Sequence, residues 1–446
     1  MFDILSLLQC LLPQINATTM RQLNQIILAM LAMSGRVTML GISRWAGIGG
    51  SYRTMLRFFH TVIPWATLFW LFFRKHLFRA NEVYLLAGDE VVVSKAGKET
   101  YGLDRFFSSL ISKPISGISF FTLSLISVEQ RHSFPIGIEQ VIKSNVEKSN
   151  PSPTPEIKPK EKRRRGRPKG SKNKNKTEVV LTSELLRIKK MINELLKLIA
   201  NFIPLTYLVL DGHFGNNNAL QMARQVNLHI ISKLRHDSAL YIPYQNPDPN
   251  HRSRRKYGEK LDWRNISEEY LRQSSIEEDV QTDTYQASLL HKEFAQSLNV
   301  VILVKTNLKT NAHSHVILFS SDLRLSSEKI IDYYKLRFQI EFNFRDAKQF
   351  WGLEDFMNIG QTAVTNAANL AFFMVNLSHY LLADFRTLNP DSGIIDLKAH
   401  YRGFRYVHEI LKMLPEIPEP ILLTQIFAKL TALGRIHPVP TGVEPS

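Results

Sequence analysis

Tyr334, Arg337, Glu341 and Lys348 bring a phenol, two cations and a carboxylate into one short stretch, "YYKLRFQIEFNFRDAKQF", Tyr333 to Phe350. On a helix turning about 100° per residue, the four fall within an arc of about 60°. Leu336, Ile340, Phe344 and Ala347 border that stripe on one side, and Ile331, Phe338 and Phe342 on the other. Asp332, Lys335, Gln339, Asn343 and Asp346 form the expected solvent face. An exposed Arg337–Glu341 pair at i, i+4 would contribute only a few tenths of a kcal/mol, and it would leave two apolar bands unexplained. Burying charge without a partner is costly. The stripe therefore predicts a cleft holding a cation, a phosphate or catalytic groups.

Two further carboxylates end or interrupt apolar runs. Asp89 lies in "LLAGDEVVV" and Asp211 ends "YLVLDGHFG". Strand ends are where α/β sheets place functional groups, although Asp-Gly is also an ordinary turn signal. Glu90 rivals Asp89, because neighbours along a strand point to opposite faces. Together with Glu341, these carboxylates offer oxygen ligands of the kind magnesium prefers. Two such ions, with manganese as a substitute, would activate a water or a 3′-hydroxyl and stabilise the leaving oxygen of a phosphodiester. Arg337 and Lys348 then make sense as phosphate contacts.

The elements that must position these residues alternate along the chain. Residues 1–80 read as helices, with a Gly-rich turn before a helix bearing Arg53 and Arg57, the shape of a helix-turn-helix DNA reader. Residues 81–235 carry strands, including a β-rich run interrupted at Gly88-Asp89. Within them, 143–178 turns to Ser, Pro, Lys and Arg, a composition expected to be disordered. Residues 236–325 read as a β-rich insertion, 326–360 as the charged helix, and 361–446 as helical.

The net charge is +16, of which +10 comes from 11 Lys or Arg and one Glu between Lys158 and Lys176. Nucleic acid is the obvious partner for such a segment. Arg165-Gly166-Arg167-Pro168-Lys169 resembles the AT-hook core. A narrow A·T-rich minor groove attracts an inserted Arg. The single cysteine, Cys10, excludes an intramolecular disulfide. The apolar run Val62 to Phe73 is too short to span a bilayer, so no membrane partner and a cytoplasmic, nucleoid-associated location are expected.

The residues Tyr334, Arg337, Glu341 and Lys348 match without a gap the Y-(2)-R-(3)-E-(6)-K signature of bacterial insertion-sequence DDE transposases. "GDEVVVSKAGKETYGLDRFFSS" and "LVLDGHFGNN" resemble that family's two aspartate regions. The resemblance implies a ribonuclease H-like α/β core with a β-rich insertion between the second Asp and the Glu. It implies Asp89, Asp211 and Glu341 as the metal-binding triad, with Tyr334, Arg337 and Lys348 at the cleaved DNA end. It implies two divalent ions, hydrolysis of double-stranded DNA at transposon ends, joining to a target, and a homodimer in the DNA complex. Two other readings stay open. One is a nuclease or resolvase on the same core that cuts without strand transfer. The other is an AT-hook DNA-binding protein with an inert core. Deleting Lys158 to Lys176 is expected to weaken DNA binding and flatten its salt dependence. Unchanged affinity across several salt concentrations would remove the segment from DNA contact.

Overall fold

The computed structural model describes residues 3–108, 111–143, 175–200, 202–244 and 256–437. The AT-hook-like residues Arg165, Arg167 and Lys169 lie outside the described residues.

The chain starts with α1 (Ile4–Leu8), α2 (Ala17–Ala32), α3 (Met39–Ala46), α4 (Tyr52–His60) and α5 (Trp65–Phe72). Asn16, Thr38 and Ser51 set three of these starts by accepting backbone N–H groups that the first turn cannot satisfy. Arg53 and Arg57 project into solvent from α4, whose Met55, Phe58 and Phe59 are buried. Among the described residues no single helix is long and apolar enough to cross a membrane. The apolar residues Leu68, Phe69, Phe72 and Phe73 are fully buried within the protein instead.

The middle of the chain forms a twelve-stranded mixed sheet. Its first strands are β1 (Tyr84–Ser94), β2 (Asp104–Ser108), β3 (Lys113–Ser127) and β4 (His132–Val141). Helix α6 (Ser183–Ile199) leads to β5 (Tyr207–Val209), and α7 (Asn217–Gln225) leads to β6 (His229–Leu234). There follow β7 (Leu240–Pro243), β8 (Tyr257–Lys260), β9 (Leu271–Glu277), β10 (Val280–His291), β11 (Leu298–Asn307) and β12 (His313–Ser320). One edge of β3 pairs with β1, and the other with β2 and then β4, all antiparallel. β1 pairs in parallel with β5, and β5 with β6. Beyond β6 the sheet continues antiparallel through β12, β11 and β10.

Contrary to the break expected at Gly88-Asp89, β1 runs unbroken against β3 from Tyr84 to Ser94. Gly88 is needed for packing rather than for a turn. A Cβ there would come within 2.6 Å of the Phe121 ring on the neighbouring strand.

The single helix expected over Tyr333 to Phe350 is two: α8 (Ser327–Leu336) and α9 (Gln339–Gln349). At the join Phe338 N bonds Lys335 O, Ile340 N bonds Arg337 O and Glu341 N bonds Phe338 O, each three residues apart. Such bonds wind at three residues per turn rather than 3.6, so a uniform wheel loses its phase here. Two expectations fail for that reason. Asn343, assigned to solvent, is 2 % exposed and donates to Ser133 Oγ on β4 at 2.9 Å. Phe338 and Phe342, assigned to an apolar band, are 50 % and 38 % exposed.

Helices α10 (Gln361–Leu388), α11 (Ile394–Leu411) and α12 (Pro420–Ala432) complete the chain. α10 is buried on most of its surface, as a helix apolar nearly all round should be. Its asparagines join distant parts of the core. Asn366 accepts from Trp65 Nε1 at 2.7 Å and donates to the carbonyls of Phe59 and Thr61, each at 2.8 Å. Asn376 donates to Pro135 O on β4 at 2.8 Å.

Asp396, 1 % exposed, ties the last described residues to α11. Its carboxylate accepts from Gly393 N at 2.8 Å, His437 Nδ1 at 2.8 Å and His437 N at 3.1 Å. Burial alone would raise its pKa, but these donors together hold it down to about 2. A carboxylate depressed on folding stabilises above its unfolded pKa and loses that contribution as pH falls through the folded value. Asp396→Asn is expected to cost about 2 kcal/mol at neutral pH. In denaturant titrations the gap to wild type should close as pH falls from about 4 towards 2.

Candidate active site

The parallel pairing of β1 with β5 decides where two of the three carboxylates emerge. Ala87 pairs with Val209, and Asp89 and Asp211 each lie two residues further on. The two strands run in the same direction from this pair, so both aspartates arrive at one mouth, where β5 has ended and β1 runs on to Ser94. The residues behind them, Leu85, Leu86, Ala87, Leu208, Val209 and Leu210, are fully buried.

Each aspartate is held by its own surroundings. Asp89 accepts from the Glu90 amide at 2.8 Å, and its carbonyl accepts from Thr122 Oγ1 at 3.2 Å. Asp211 caps the short turn Gly212–Phe214, accepting from His213 N at 3.1 Å. Its carbonyl accepts from Ser232 Oγ on β6 at 2.6 Å. Gly215 lets this turn lie flat on β6, since a Cβ there would fall 2.1 Å from Lys233 O. Glu90, the rival to Asp89, lines the same groove but is exposed and accepts from Ser119 Oγ.

The third carboxylate arrives on α9. That helix is pinned to the sheet by Asn343 on β4 and by Lys348, whose Nζ donates to Val92 O on β1 at 3.0 Å. Lys348 also pairs with Glu354 at 3.2 Å. Glu341, in the first turn after the join, is 46 % exposed in its side chain, at the rim rather than on a buried stripe. The tight join leaves Glu341 outward while Arg337 and Lys348 stay mostly covered, which corrects the expectation that the whole charged stripe is buried. Arg337, at the join itself, is 14 % exposed.

Arg337 links the carboxylates. Its Nη1 pairs with Asp89 Oδ2, and its Nη2 lies 3.7 Å from Glu341 Oε1. Its Nε is buried with no hydrogen-bond partner among the described residues. Burial pushes the Asp89 carboxyl up to about 6; Arg337 and the Glu90 amide pull it down, while Asp211 and Glu341 push it up. Burial also raises the Tyr334 phenol above its ordinary value, with Arg337 opposing. The Arg337 guanidinium lies 6.0 Å from the Tyr334 ring centroid.

Asp89, Asp211, Arg337, Glu341 and Lys348 line one open groove. Tyr334 instead faces an adjoining depression that shares Asp211 and Arg337 with it. Lys233 and Arg235 line that depression and escaped the sequence reading. Their signal was their place at the end of β6, the next parallel strand after β5, which leads to Asp211. Arg53 and Arg57 line neither recess.

The donor chemistry of the groove suits a hard divalent ion, being all carboxylate oxygen. Among the described residues, however, no three His, Cys, Asp or Glu side chains stand together closely enough to hold a metal. The guanidinium of Arg337 instead lies against two of the three carboxylates.

No curated protein matches the chain. A family model described as "DDE superfamily endonuclease" matches residues 10–297, more than half of the chain. The match takes in Asp89 and Asp211 and stops before the helices carrying Tyr334, Arg337, Glu341 and Lys348. A sheet that delivers two aspartates to one mouth is compatible with that match. The chain belongs to the DDE superfamily endonucleases, nucleic-acid-cleaving enzymes that typically use divalent metals.

Proposed function

We propose that this endonuclease is a DNA transposase of the bacterial insertion-sequence type, cutting at the terminal inverted repeats of its element and joining the freed ends to a target. The observation that carries the proposal is the convergence on one groove of Asp89 and Asp211, in matched positions on parallel strands, with Glu341 joined to Asp89 through Arg337. The strand order β4-β3-β1-β5-β6, antiparallel and then parallel, supports a ribonuclease H-like core. The ungapped Tyr334, Arg337, Glu341, Lys348 spacing supports a transposase over a general nuclease.

In this reading Asp89, Asp211 and Glu341 hold two magnesium ions, for which manganese would substitute. Those ions, when bound, supply charge neutralisation and activation of the attacking oxygen. The chain's own cations handle the DNA backbone. Arg337 has a buried Nε donor without a partner, suited to a phosphate oxygen. Lys348 is positioned by Val92 O and lines the same groove. Tyr334 lies beside Arg337 at the adjoining depression, where Lys233 and Arg235 extend the positive surface. The exposed Arg53 and Arg57 and the AT-hook-like residues Arg165, Arg167 and Lys169 contact DNA away from the cut. Homodimerisation on paired ends would bring two such grooves together.

Glu341→Gln keeps the size of the side chain and removes one anionic ligand. DNA binding is expected to stay largely intact in gel-shift assays. Magnesium-dependent cleavage of a terminal-repeat duplex should fall by more than the roughly 10- to 100-fold typical of losing an outer-shell metal partner. Cleavage near the wild-type rate would take Glu341 out of the site. Cleavage without joining to target DNA in the wild type would favour a nuclease.

A further inference from the structure

Arg337 does two jobs that oppose each other. A guanidinium paired with Asp89 and close to Glu341 offsets the repulsion between these carboxylates, the first of them largely covered and the second at the rim. The same guanidinium competes with any cation for Asp89 Oδ2 and Glu341 Oε1, and the two positive groups repel each other at that distance. Its partnerless buried Nε means that the carboxylates do not fully satisfy it. A phosphate oxygen would offer the missing acceptor along with a negative charge.

We propose that Arg337 is the resident counter-cation of the metal-free groove and makes metal and DNA binding interdependent. A DNA phosphate draws the guanidinium away from Asp89 and Glu341 and leaves them free for divalent ions. Without DNA, the ions must displace the arginine and bind less tightly. By linkage the effect is reciprocal, so metal strengthens DNA binding by the same factor. The groove is thereby biased against loading metal before its substrate arrives. This inference rests on the assignment of Asp89, Asp211 and Glu341 as metal ligands.

Nearby charges leave Arg337 as the group placed for this role. Lys348 is held by Val92 O and Glu354, and Arg345 pairs with Asp346 at 2.8 Å. Neither has an ion pair to Asp89 or Glu341 among the described residues.

Manganese binding measured by electron paramagnetic resonance tests this without relying on turnover. Arg337→Gln, free of DNA, should bind Mn2+ about tenfold more tightly than wild type, at the lower end of ordinary coupling between sites. Arg337→Lys keeps a cation and should stay near wild type. Arg337→Gln should also melt at a lower temperature without metal and recover more on adding Mn2+. In the wild-type protein, short duplex DNA should tighten Mn2+ binding about tenfold after correction for metal held by the DNA itself. The wild-type arm stands even if Arg337→Gln fails to fold. Equal Mn2+ affinity in wild type and Arg337→Gln, or no effect of DNA on the wild type, would overturn the proposal. A wild-type protein that shows this coupling yet never cleaves terminal-repeat DNA would count against the transposase reading alone.

Discussion

The parallel hydrogen bonding of β1 to β5 is the constraint on which the site depends. Only two residue pairs define that register, Leu86 with Leu208 and Ala87 with Val209. A slip of one residue would send every side chain to the opposite face, so that Asp89 and Asp211 would no longer share a mouth. The register is secured by burial. The strands are covered on both sides, as parallel strands must be, and Leu86, Ala87, Leu208 and Val209 have no solvent exposure. Asp89 is where β1 first leaves that dry layer, and dehydration there is what raises its carboxyl to about 6.

Gathering carboxylates creates an electrostatic problem, and the two-helix element across the mouth answers it. A continuous helix would carry Arg337 and Glu341 on one regular stripe. The tight join instead leaves Arg337 mostly covered against Asp89 and Glu341 at the rim. Asn343 and Lys348 anchor the second helix to β4 and β1, so the third carboxylate is held by the same sheet that holds the first two. The site is thus positioned by regular elements, and one arginine links two of its three carboxylates.

The scaffold behind the groove depends on the long helix α10. Its buried asparagines bond to the N-terminal helices at Trp65, Phe59 and Thr61 and to β4 at Pro135. The C-terminal region, which carries no chemical motif, is therefore part of the core. An asparagine within an apolar helix is costly unless both its groups find partners. Asn366 meets that condition with both its oxygen and its nitrogen, so its bonds fix the docking of α10 on the N-terminal helices.

Much of the candidate site was legible because its signals are local. The spacing of Tyr334, Arg337, Glu341 and Lys348 and the carboxylates beside apolar strands can be read from single stretches, as can the concentration of charge between Lys158 and Lys176. The continuity of β1 was not legible, because Gly88 reads as a turn residue until Phe121 of the neighbouring strand is seen to need its space. The helix join was missed because periodicity assumes uniform winding, and nothing in the residues Leu336-Arg337-Phe338 announces a three-residue turn. Lys233 and Arg235 gain meaning only once β6 lies beside β5. The sequence by itself determined which residue types are available for phosphodiester chemistry and their order along the chain. Only the tertiary structure decided that Arg337 reaches Asp89 and that Lys348 pins α9 to β1, because those contacts join residues 248 and 256 positions apart through the packing of α9 on the sheet.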